Sequence, residues 1–132
     1  KNSSVDLVVL GCPHATLEDI RYCSERLQDK KIAPNTLLWI CTNRMTRLQA
    51  KYSGYISIIE KSGAKVIADT CPVESHMRKT ICERFNISYP CFPNMVSNSV
   101  KMLRYSRDLL GVKTAIVDTD KCILSAIKGT LQ

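Results

Sequence analysis

Apolar residues in this chain follow two alternating patterns, short unbroken runs and longer stretches with steps of three and four. Val5 to Leu10 is a run of the first kind, nearly all β-branched or leucine, the pattern of a strand buried on both faces. The turn Gly11-Cys12-Pro13-His14 follows it. Thr16, with Asp19 three residues later, has the spacing of a helix capping box. Leu17, Ile20 and Leu27 then share one helix face, with Cys23 or Ser24 between them, until Pro34 and Asn35 break the pattern. Thr36 to Cys41 predicts a second strand. Met45 to Lys61 predicts one long helix whose face is Met45, Leu48, Tyr52, Ile56 and Ile59, ended by Ser62-Gly63. Lys65 to Ala68 predicts a third strand, and Asp69-Thr70-Cys71-Pro72 the turn beyond it. Met77 to Phe85 predicts a short helix, and Pro90 and Pro93 an extended segment. Asn94 to Val96 predicts a fourth strand. Ser97-Asn98-Ser99 opens a helix to about residue 110, where Gly111 stops it. Thr114 to Val117 and Thr119 to Lys128 predict the last strand and helix.

Strands alternating with helices imply right-handed crossovers and a parallel sheet. The expected fold is therefore α/β and Rossmann-like, about five parallel strands with helices on both faces. At 132 residues it is expected to form a single domain over 1–132. Ligands of such sheets bind beyond the carboxyl ends of the strands. That edge collects the turns containing Cys12 and His14, Thr42 and Arg44, Asp69 and Cys71, and Ser97 to Ser99.

Composition narrows the partners. No apolar run approaches the roughly 18 residues of a membrane span, and the polar first segment lacks the core of a signal peptide. A start without Met, directly before an apolar strand, suggests a processed or engineered start, or a domain excised from a longer chain. Seven cysteines are many for this length, yet their number is odd and no C-x-x-C pair occurs. Free thiols in a reducing cytoplasm are expected. The net charge of +7 is spread along the chain, densest at Arg44, Arg47 and Lys51. With no nucleic-acid motif beside it, this charge points to a small anionic ligand or an acidic partner surface, not to nucleic acid.

Each strand-end turn has a chemical and a plain structural reading. A Cys12 thiolate before a helix is favoured by the dipole and unpaired amides, and His14 can orient a carboxylate or move a proton. The same turn also suits a buried thiol. Cys71 is a candidate metal ligand with Asp69 behind it. Ser97, Asn98, Ser99 and Lys101 suit an anion, or equally a helix cap beside a solvent-facing lysine. Arg44, next to Thr42, can pair with a carboxylate, or with an acid of its own chain. Cys23, Cys41 and Cys122 are expected to pack. A non-enzymatic binding or thiol redox-sensing domain remains open on these residues alone.

Five segments, in order, resemble the aconitase X family: V-V-L-G-C-P-H-A-T-L-E-D at 8–19, L-W-I-C-T-N-R-M-T-R at 38–47, G-Y-I-S-I-I-E-K-S-G-A-K-V-I-A-D-T-C at 54–71, S-N-S-V-K-M-L-R-Y at 97–105 and D-K-C-I-L-S-A-I-K-G at 120–129. Asn43 stands where that family's pattern has serine. The resemblance implies the C-terminal domain of a longer catalytic subunit, completed by an N-terminal portion and a small swivel part, fused or separate. It implies a hydro-lyase that dehydrates a hydroxy acid, cis-3-hydroxy-L-proline or alternatively mevalonate 5-phosphate. The E-S-H-M-R run at 74–78 favours the former. The implied cofactor is iron, as an iron–sulfur cluster or a single ion, with Cys71 as the first ligand and Cys12 as the second. Thr42, Arg44, Ser97, Asn98, Ser99 and Lys101 are then the substrate-binding residues and His14 the catalytic one.

Overall fold

The computed structural model describes residues 3–11, 14–69, 94–105 and 113–132. Ten elements follow in chain order: β1 (Leu7–Leu10), α1 (Leu17–Leu27), β2 (Leu37–Thr42), α2 (Arg44–Tyr52), α3 (Tyr55–Lys61), β3 (Lys65–Ala68), β4 (Asn94–Ser97), α4 (Val100–Tyr105), β5 (Lys113–Ile116) and α5 (Thr119–Lys128). The strands form one sheet in the order β3-β2-β1-β4-β5, with every neighbouring pair parallel. The expected α/β parallel fold is the observed one. The helix expected over Met77 to Phe85 and the segment with Pro90 and Pro93 lie outside the described residues, as does the chain from 106 to 112.

Alternation along the strands sends side chains to two cores. Val8 and Leu10 of β1 join Leu38, Ile40, Val66 and Val96 on one face. Leu7 and Val9 join Cys41 and Met95 on the other. As the central strand, β1 is buried at all four positions, as its unbroken apolar run requires. The chain steps from β1 to β3 in one direction and from β4 to β5 in the other. Right-handed crossovers then place the connecting helices on opposite faces. The packing agrees. Ile20 and Leu27 of α1, Ala50 of α2 and Ile56 and Ile59 of α3 lie on the first face, and Met102 of α4 on the second. After β5 the chain returns, and Cys122, Ile123 and Ala126 bring α5 onto the first face.

One expected element divides in two. The long helix breaks at Ser53 and Gly54, where Gly54 takes a φ of 88° and the Ser53 and Gly54 amides donate to Gln49 and Lys51. A positive φ is cheap for glycine, so the break costs little. It also turns the expected apolar face. Ile56 and Ile59 are buried, whereas Met45, Leu48 and Tyr52 are 67%, 45% and 82% exposed. The steps of three and four were real, but a single residue in the left-handed region between them changes the rotation of everything that follows.

Candidate functional site at the carboxyl edge of the sheet

All five strands run parallel, so the turns read from the sequence leave from one edge. One anchor of that edge is the end of β2, and turns from both neighbours, β1 and β3, are fastened to it. The amide of Ala15, in the turn after β1, donates to the Cys41 carbonyl at 2.7 Å. The Thr42 hydroxyl, buried, donates back to the Ala15 carbonyl at 2.7 Å. From the other side, the Asp69 amide donates to the Thr42 carbonyl at 2.9 Å. The first turn fits only because residue 11 is glycine. Gly11 has a φ of 83°, and a Cβ there would lie 2.6 Å from the Cys41 carbonyl oxygen. His14 sits exposed in that turn, ahead of the Thr16–Asp19 capping box, which forms as expected.

Asn43 caps α2 by accepting from the Thr46 amide at 2.8 Å, which makes Arg44 the first helical residue. The Arg44 side chain is 88% exposed and pairs with Asp69 across the two turns. One Asp69 oxygen accepts from the Arg44 amide at 3.2 Å and the other from its Nε at 3.1 Å. Asp69 thus engages Arg44, where the sequence had placed it behind a metal ligand.

At the end of β4, Ser97 is 0% exposed. Its hydroxyl donates to the Val9 carbonyl at 2.8 Å and accepts from the Ser99 amide at 3.1 Å. The Ser99 hydroxyl accepts from the Met102 amide, as a helix cap does. Asn98 and Lys101 face solvent. Thr42 and Ser97 therefore lie beneath the rim and tie strand ends together, whereas His14, Arg44, Asn98 and Lys101 stand on it.

The sequence order of the strands reverses between β1 and β4, the position at which open α/β sheets form a crevice. A cavity of about 100 Å³ lies there, between Gly11, Ala15, Asp19, Tyr22, Asn98 and Thr119. The Asn98 amide donates to Thr119 across it at 3.0 Å. Beside it the Tyr22 hydroxyl donates to Asp120 at 2.6 Å, and Arg26 bonds both while lying 4.3 Å over the Tyr22 ring. The Tyr22 hydrogen bond, then that of Arg26, lowers the Asp120 carboxyl, and the same bond to Asp120 raises the Tyr22 hydroxyl. Sequence reasoning missed Tyr22 and Thr119, and it offered Arg44 an acid of its own chain without saying that the acid is Asp69. Each depends on contacts between distant segments that no local spacing announces.

The expected iron ligands Cys12 and Cys71, and also Cys82, Cys91 and His76, lie outside the described residues. Their flanks still permit a test of fit. Gly11 follows β1 and Asp69 follows β3, and both turns are anchored on the end of β2. Two strand spacings separate them, about 10 Å. The turn after β4 lies one strand spacing from β1 but three, about 14 Å, from β3. Asn98, in the turn after β4, therefore lies closer to Gly11 than to Asp69 along the edge. Cys23, Cys41 and Cys122 are buried, as expected of packing thiols. Burial pushes the Cys23 and Cys122 thiols up to about 12, so they stay protonated at neutral pH. Among the described residues no three His, Cys, Asp or Glu side chains gather as a metal site, and no helix is long and apolar enough to cross a membrane.

Fold and edge together define a doubly wound α/β domain whose carboxyl edge is a polar rim bearing Arg44 and Lys101. The chain belongs to the aconitase X family: the model of the aconitase X third domain matches residues 5–128. The phosphomevalonate dehydratase large subunit of Methanosarcina mazei is 33% identical over 129 residues, covering 98% of this chain and 29% of that one. The cis-3-hydroxy-L-proline dehydratase of Pseudomonas aeruginosa is 24% identical over 129 residues, covering 95% of this chain and 20% of the relative. The crystal structure of Thermococcus kodakaraensis aconitase X in its holo form superposes with a TM-score of 0.75 at 27% identity, over 93% of this chain and 29% of that chain. The chain thus spans less than a third of the length of these relatives.

Proposed function

We propose that this domain forms one wall of the active site of a hydro-lyase that removes water from a small hydroxy acid. The observation that carries the reading is the common anchoring of the β1 and β3 turns on the end of β2, in a chain of the aconitase X family. Arg44 offers its guanidinium to a carboxylate or phosphate, a pairing favoured by charge and by planar geometry. Asn98 and Lys101 receive a second polar group of the substrate at the switch point, on a turn that Ser97 and Ser99 hold in shape. Thr42 supports the rim from below. His14 orients the substrate or moves a proton. Cys71 and Cys12 would hold the iron, as a cluster or a single ion, and when bound it stabilises the departing hydroxyl as a Lewis acid. The base that takes the proton α to the carboxylate comes from the remaining N-terminal part of the subunit. A swivel part, fused or separate, closes the site, in a reducing cytoplasm that keeps the thiols reduced.

Of the two substrates, mevalonate 5-phosphate is the better supported. Relatives named phosphomevalonate dehydratase reach 33% identity over nearly the whole chain and 43% over 74 residues. Relatives named cis-3-hydroxy-L-proline dehydratase, the substrate the 74–78 run had favoured, reach 24% and 28%. A rim bearing both Arg44 and Lys101 also suits a substrate with two anionic groups. The test is turnover of each compound by the full-length enzyme with its partner, alongside anaerobic iron analysis of wild type and Cys71→Ala. Dehydration of mevalonate 5-phosphate, with iron lost in the variant, supports the reading. Turnover of cis-3-hydroxy-L-proline alone selects the second substrate. Turnover of neither, with no iron in the intact protein, removes the enzyme reading.

A further inference from the structure

We infer that Asp69 is a positioning residue that holds the Arg44 guanidinium in place at the rim, so that its terminal amines face the substrate's anionic group. The inference rests on the proposed role of Arg44.

The argument begins with the backbone. Asp69 has a φ of 60° at the end of β3, in the left-handed region that favours glycine. Aspartate tolerates that region better than most residues but still bears strain there. Such strain persists where the surroundings impose it, and it gathers at ligand sites. Asp29 has nearly the same φ, 62°, after α1, and its carboxylate has no partner among the described residues. The turn conformation alone therefore does not call for a clamp. At Asp69, by contrast, both carboxylate oxygens engage one residue, the Arg44 amide and its Nε, while its own amide is fixed to Thr42.

Stability gives little reason for such a pair. Arg44 is 88% and Asp69 43% exposed, and exposed ion pairs contribute little to folding. Geometry gives a better one. A guanidinium has a side bearing Nε and an end bearing the two terminal amines. Asp69 occupies Nε, and among the described residues nothing bonds the end. An otherwise flexible side chain is thereby preorganised while remaining 88% exposed, and preorganisation lowers the entropy lost on binding an anion.

The experiment uses the full-length, iron-loaded enzyme and compares Asp69→Gly, Asp69→Asn, Arg44→Ala and Asp69→Gly/Arg44→Ala for KM, kcat, melting temperature and iron content. Glycine relieves the backbone strain and removes both carboxylate contacts, to the Arg44 amide and to its Nε. Asparagine retains an acceptor for Arg44 and tests the same contact should the glycine variant not fold. The expected result for Asp69→Gly is a rise in KM of about three- to fivefold, the range an exposed pair can supply, with a smaller change in kcat, and iron content and melting temperature kept. Asp69→Asn should fall between it and wild type. In the Arg44→Ala background Asp69→Gly should add nothing. The inference is overturned if the KM of Asp69→Gly stays unchanged, if it rises by the same factor without Arg44, or if iron is lost, which would assign Asp69 to the Cys71 turn. An Arg44→Ala variant with normal KM would instead defeat the proposed role of Arg44 itself.

Discussion

The carboxyl edge of the sheet and the interface between α1 and α5 both concentrate reactive side chains, and they treat them in opposite ways. At the edge, hydroxyls and amides beneath the rim are each paired at 2.7 to 3.1 Å, while His14, Arg44, Asn98 and Lys101 stay open to solvent. In the interface, Cys23 and Cys122 lie among Ile20, Ile123 and Ala126, and burial holds their thiols protonated. The residue type is the more reactive in the second place, but the solvent-accessible polar groups are in the first. What a side chain can do here depends on whether its element leaves it at a strand end or packs it against the sheet.

The contrast can be broken most severely at Gly11. An alanine there must adopt a φ of 83° and place its Cβ 2.6 Å from the Cys41 carbonyl and 2.7 Å from the Ala15 Cβ. Backbone carbonyls cannot move aside as a side-chain tip can. Gly11→Ala should cost about 3 kcal/mol or more, read as a lower urea midpoint, and a near-normal midpoint would show that the turn is not held on β2. The interface is probed next, by alkali. Its two thiols are raised from an ordinary value of 9 to about 12 in the folded chain. Below pH 9 both folded and unfolded chains keep them protonated, so their contribution is fully present. As pH climbs from 9 towards 12 the unfolded chain releases protons that the folded chain retains, and stability falls. Linkage gives roughly 1 kcal/mol per thiol per pH unit in that window. Comparing urea midpoints at pH 8 and 10, the Cys23→Ala/Cys122→Ala variant should lose less than wild type over the interval. Equal losses would mean that the thiols are not desolvated.

The order of β1, α1, β2, β3, β4, β5 and α5 was legible because each announces itself within a few residues, through the unbroken run at Val8 to Leu10 or the capping box at Thr16 and Asp19. The strand-end rule was legible too, since it needs only alternation and parallel pairing. What was not legible depends on three-dimensional closure. Nothing near Thr42 states that its hydroxyl meets Ala15, 27 positions away. Nothing near Asn98 states that Thr119 faces it. Ser97 looked like a ligand group because serine after a strand often is one, and its burial beneath β1 follows from the strand order. The divided helix was misread for a different reason. Periodicity measures spacing, and Gly54 preserves the spacing while altering the direction of the helix axis.

Two smaller effects sharpen the edge itself. Thr42→Val and Ser97→Ala each remove a buried hydroxyl and leave a backbone carbonyl, of Ala15 or Val9, short of a donor. Each should cost about 1–2 kcal/mol in chemical denaturation. A neutral Thr42→Val would show that Ala15 is held by its amide alone.

The smallest effect on stability is expected at Asn98, and it separates support from recognition. Its exposed amide makes a surface hydrogen bond to Thr119 at 3.0 Å, so Asn98→Ala should change stability by less than about 0.5 kcal/mol. Ser97, one residue earlier, should behave in the reverse sense, with a large effect on folding and a KM that shifts only as the rim loses its shape. If Asn98 meets the substrate, its alanine variant raises KM in the full-length enzyme while the urea midpoint stays put. If its only role is the surface hydrogen bond to Thr119, neither changes appreciably. Adjacent residues thus report on different layers of the same edge, because Ser97 ends β4 against β1 whereas Asn98 lies in the turn beyond it, in solvent.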